Sequence, residues 1–154
     1  MTGKSSRAYK LKLSERGIFL FLKCHCRLCH LVGDFLPYGT TLHVSVTLLE
    51  RVPAEDLVAE ISGPELAAYG GKEVRFVGTS AHLADVTAKL ADRIDESGRV
   101  HPKPPTWKLF LTALCCMEAA DDKFVVRAYD DLCAVEAAMK PRRLLDGVRL
   151  SIDT

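Results

Sequence analysis

The sequence predicts an α+β fold: a single domain over residues 1–154, with a mostly antiparallel sheet, an N-terminal hairpin and helices packed on one face. Three observations predict it. Apolar and polar residues alternate along 18–28 and again along 42–48, the period of a half-buried strand. Leu83, Val86, Leu90 and Ile94 recur at helical spacing. A composition of 48% hydrophobic and 27% charged residues is that of a chain that buries a core.

The elements follow in order. Tyr9, Leu11 and Leu13 alternate with Lys10 and Lys12, which predicts a short strand. Ser14 to Gly17 reads as a turn. From Ile18, Leu20, Leu22, Cys24, Cys26 and Leu28 fall on one face, and Lys23, His25 and Arg27 on the other. That is a strand pattern, with a helix across the same run as the competing assignment. Gly33-Asp34 and Pro37-Tyr38-Gly39 mark a loop. Leu42, Val44, Val46 and Leu48 then alternate with His43, Ser45 and Thr47, the cleanest strand pattern in the chain. The two strands would pair as a hairpin about the 31–39 loop, with their outer faces adjoining.

Pro53, followed by Glu55 and Asp56, opens a short helix that ends near Ser62-Gly63. Pro64 starts a further turn or two, which stops at Gly70-Gly71. Val74, Phe76 and Val77 predict a buried strand. Thr79 or Ser80 caps the next helix, Asp85 and Lys89 pair along it, and Gly98 ends it. Pro102, Pro104 and Pro105 form an extended linker, at which the domain could divide internally (102–105). Leu111 to Ala120 favours a helix. Beyond it the sequence allows a strand over Phe124–Arg127 and a helix over Asp130–Lys140, or one helix from Asp122 to Lys140. Asp146-Gly147 is a turn before a last strand through Val148, Leu150 and Ile152.

The net charge of +1 gives no global attraction to nucleic acid or to a membrane surface. No run reaches the roughly 18 consecutive apolar residues of a membrane span. The first seven residues lack a secretory pattern, which predicts an intracellular, cytoplasmic protein with its 6 cysteines reduced. Asn and Gln are absent, and with them the side chains best suited to paired hydrogen bonds with adenine.

The densest chemistry lies in Cys24, His25, Cys26, Arg27, Leu28, Cys29 and His30. Cys24, Cys26, Cys29 and His30 are candidate zinc ligands, although no second ligand pair follows at finger-like spacing. Cys26-Arg27-Leu28-Cys29-His30 also matches the c-type haem attachment pattern, which a Cys/His-rich run produces by coincidence. On the predicted hairpin, Lys23, His25, Arg27 and His43 form a basic stripe that suits nucleic acid or phosphate. Gly78, Thr79 and Ser80 join a strand to a helix start, where exposed amides can hold an anion. No convergent catalytic set is visible. The expectation is therefore a non-catalytic interaction or adaptor protein acting through a sheet face or edge. Its partner is another protein or itself, as a homo-oligomer, and no cofactor is expected beyond a zinc ion. The alternatives are a nucleic-acid or phosphate-binding module using the basic face, and a zinc-stabilised or thiol-dependent protein using the Cys24–His30 run.

Overall fold

Ser14 marks the change from strand to helix. Its hydroxyl accepts the Gly17 amide at 3.1 Å and donates to the Ala68 carbonyl at 2.6 Å, so it caps a helix and ties that helix to a distant turn. The computed structural model describes residues 8–100 and 103–139. The chain runs through β1 (Ala8–Leu13), α1 (Glu15–Val32), α2 (Tyr38–Glu50), α3 (Ala54–Ser62), a 3₁₀ turn (Pro64–Ala68), β2 (Glu73–Gly78), α4 (Ala81–Glu96), α5 (Thr106–Ala119) and α6 (Asp122–Met139).

This corrects the α+β expectation. The described residues are mostly helical, 72% of them, in six α-helices with a two-stranded sheet. The predicted N-terminal hairpin is two helices, α1 and α2. In α1 the buried residues are Gly17, Leu20, Phe21, Cys24 and Leu28, a helical and not an alternating set. Leu22 and Cys26, which completed the apparent strand face, are exposed, as is Phe19. Exposed apolar residues thus disguised the helical period. Gly33 stops the helix in a left-handed conformation, φ 77°, where its amide bonds Cys29 O.

In α2 the disguise came from buried polar residues. Eight of its thirteen residues are buried, among them Thr41, His43 and Ser45. Ser45 Oγ donates to Leu42 O and the half-buried Thr47 Oγ1 to His43 O. Returning a hydroxyl to the preceding turn lets it lie in the core without an external partner. Such a helix has no polar face to set a period. It packs against α1, α4, α5, α6 and β2 and is the centre of the molecule.

The remaining elements follow the sequence more closely. α3 begins after Pro53 and ends at Ser62. Ser80 caps α4 through the Leu83 amide, Asp85 and Lys89 pair at 3.2 Å, and Gly98 has φ 68°. Residues 122–139 form one helix, not a strand and a helix. The expected strand through Val148, Leu150 and Ile152 lies outside the described residues.

The sheet pairs β1 with β2 antiparallel, Ala8 opposite Gly78 through Leu13 opposite Glu73. Its inner face carries Leu11, Leu13 and Val77, all buried, and β1 packs on α1 and α5. Its outer face carries Lys10, Lys12, Val74 and Phe76, all exposed. β2 is therefore an exposed strand and not the buried one expected. The core itself is built from leucines of every layer, with Leu28, Leu42, Leu49, Phe110, Leu111 and Leu114 fully buried.

Candidate functional site

A helix turns by about 100° per residue, so Cys24 falls on the opposite side of α1 from Cys26, Cys29 and His30, and the four do not converge. Cys24 points into the core, where its sulfur lies 3.5 Å from Leu114 O and burial pushes its thiol up to about 12. Cys26 and His30 are exposed, and Cys29 is half-buried. Among the described residues no group of three His, Cys, Asp or Glu side chains is arranged to hold a metal ion.

The basic stripe is dispersed as well. Lys23 pairs with Glu118 at 3.1 Å on the surface. Arg27 is a connector: Nη1 donates to Met117 O at 2.8 Å, Nη2 to Ala120 O, and Nε to Asp122 Oδ1 at 2.8 Å. It joins α1 to the end of α5 and the start of α6. His43 is only 3% exposed, its ring 4.9 Å from that of His82, and its Nε2 has no hydrogen-bond partner. Burial, aided by His82, holds its imidazole down at about 4, so it is neutral near pH 7.

His25 is the member of the stripe whose neighbours include a hydroxyl, a thiol and two aromatic rings. Its Nδ1 lies 2.7 Å from Thr41 Oγ1, and its Nε2 lies 3.6 Å from Cys29 Sγ one turn along. Its ring packs on Tyr38 at 4.6 Å and on Phe21 at 6.2 Å. Partial burial holds this imidazole below its ordinary value.

Tyr38 also walls a groove of about 320 Å³ at the starts of α2 and α4. Pro37, Gly39 and Thr40 form one side; Phe76, Val77, Gly78, Thr79 and Ser80 form the other. Gly39 is required here, because a Cβ on it would lie 2.4 Å from Gly78 O. The predicted anion residues Gly78, Thr79 and Ser80 thus do share a concave site with two helix N-termini. Among the described residues Glu136 is the one charged side chain lining it, and its carboxylate opposes an anion.

Two rings of its lining are exposed: Phe76 is 66% exposed and Tyr38 53%; on α6, Val135 and Met139 are exposed as well. Sequence reasoning placed Phe76 in a buried strand and so missed this surface. The signal available was the Lys10 and Lys12 alternation, which marks one face of the sheet as wet. Comparison with protein-family models, with curated proteins and with solved structures returned no match to this chain.

Proposed function

We propose that the protein is a non-catalytic interaction protein that docks an extended polypeptide segment along β2, with a second copy of itself as the partner. The observation that carries this reading is β2 itself. Five of its six residues are exposed, and two of them are Val74 and Phe76. A strand with one free edge presents unpaired amides and carbonyls, and proteins normally protect such edges with charge, Pro or a bulge. Among the described residues β2 pairs with β1 alone; it has no Pro, no bulge in its register and an apolar outer face, its charges Glu73 and Arg75 being paired with each other on the opposite face. Strand addition would satisfy the edge and cover Phe76. Self-pairing is favoured because an antiparallel β2–β2 contact is isologous and needs only this one surface. An intracellular setting belongs to the same reading: all six cysteines are free, and no described helix is long and apolar enough to cross a membrane.

Sedimentation of the wild-type chain tests it. The expected result is a dimer at about 100 μM that dissociates on dilution and is abolished by Phe76→Glu. A wild-type monomer at that concentration overturns the self-association reading.

A second reading rests on the same sheet. Lys10 lies opposite Phe76 and Lys12 opposite Val74, so two cations flank an exposed aromatic ring. A two-stranded ribbon fits the DNA major groove, and an exposed ring on a sheet can stack a base. Binding to DNA or RNA that weakens steeply with salt and is lost in Lys10→Glu/Lys12→Glu would favour it over strand docking.

A further inference from the structure

We infer that Cys29 is an activated thiol, a modification site for small electrophiles of the hydroperoxide class. Three side chains from two helices meet here. Cys29 Sγ faces His25 Nε2 at 3.6 Å, and Thr41 Oγ1 holds the opposite ring nitrogen at 2.7 Å. A thiol, a base within reach of it, and a third group that orients the base is the arrangement that activates a cysteine. If Nδ1–H donates to the threonine oxygen, Nε2 is left bare and aimed at the thiol. Ring packing by Tyr38 and Phe21 fixes the imidazole plane. The spacing of Cys29 and His25, four residues apart on α1, puts them on one helix face, and α2 crosses there to supply Thr41.

The chemistry balances without further components. The thiol proton passes to His25 Nε2 as the sulfur attacks an oxygen of the hydroperoxide. The O–O bond breaks, the imidazolium returns the proton to the departing alkoxide, and an alcohol leaves. Sulfur is oxidised by two electrons to a sulfenic acid and the peroxide is reduced by two. The sulfur is half-buried, which favours small reagents over macromolecular ones.

Two other cysteines of the same chain serve as controls. Cys26 and Cys133 are both exposed, and neither sulfur hydrogen-bonds a histidine among the described residues. If exposure alone governs reactivity, both outrun Cys29.

The test is site-resolved labelling by mass spectrometry at pH 7.5, with iodoacetamide and, separately, hydrogen peroxide followed by a sulfenic-acid trap. Cys29 should react at least about fivefold faster than Cys26 and Cys133, the order expected of thiolate character over exposure. His25→Phe keeps a ring against Tyr38 and should bring Cys29 to or below the control rates while leaving the controls unchanged. Thr41→Val removes only the orienting oxygen and should lower the Cys29 rate severalfold. Rates that rank by exposure in the wild type overturn the inference. So does an unchanged Cys29 rate in a folded His25→Phe or Thr41→Val chain.

Discussion

Replacing Arg27 separates a structural role from a binding one. Its guanidinium makes two bonds to backbone carbonyls at the end of α5 and one ion pair to Asp122 at the start of α6. The ion pair joins side chains that are 25% and 64% exposed, so solvent screening holds it to roughly 0.5 kcal/mol. The carbonyl bonds come from a charged but partly exposed donor, which holds them to about 1 kcal/mol each. Arg27→Met, which keeps much of the stem packing, should therefore cost about 2–3 kcal/mol. Asp122→Asn, which weakens only the ion pair, should cost about 0.5 kcal/mol or less. Urea denaturation followed by far-UV circular dichroism measures both. In a chain of this size 2–3 kcal/mol lowers Tm by roughly 5–10 °C. An Arg27→Met chain within about 0.5 kcal/mol of wild type would refute the connector role and return Arg27 to the surface.

His43 makes stability fall in acid. Native His43 takes up a proton only near pH 4, whereas an unfolded one does so near 6.5. Between those values the unfolded chain binds the extra proton, so the stabilisation present above 6.5 is lost as pH falls to 4, by about 3 kcal/mol. In His43→Leu that share of the pH dependence should vanish from denaturation curves taken between pH 7 and 4. Gly17→Ala would ordinarily favour a helix, but its Cβ would lie 2.1 Å from Tyr69 O. The expected result is a loss of about 1–3 kcal/mol in chemical denaturation. Because Cys24, Cys26, Cys29 and His30 diverge around α1, excess chelator should leave Tm within about 1 °C of its value with added zinc.

The parts of this fold legible in the sequence are those with local punctuation. Pro53 before two acids, Ser80 before Leu83, and Gly98 after Ile94 each fix an end of a helix by backbone chemistry that needs no distant partner. β1 was legible because one of its faces meets solvent and the other the core. α1 and α2 were misread for opposite reasons: α1 exposes Phe19, Leu22 and Cys26, while α2 buries Thr41, His43 and Ser45. Periodicity reports burial only when residue type follows burial, and in both helices tertiary placement broke that link. The caps of α1, Ser14 and Gly33, enclose its eighteen residues and were the better signal. Of the candidate site residues, Gly78, Thr79 and Ser80 do line one groove. His25 and Cys29 meet only because the run is a helix, so a strand reading could not bring them together.

Amide hydrogen exchange of Glu73–Gly78, measured over a range of protein concentrations, tests most directly whether β2 is a docking strand. In an antiparallel strand with one free edge, alternate amides point outward without a partner. The account predicts that those amides exchange quickly in dilute solution and become protected as concentration rises, with Phe76→Glu staying unprotected throughout. Exchange that is fast and identical at every concentration, or slow protection already present in the dilute monomer, would contradict it.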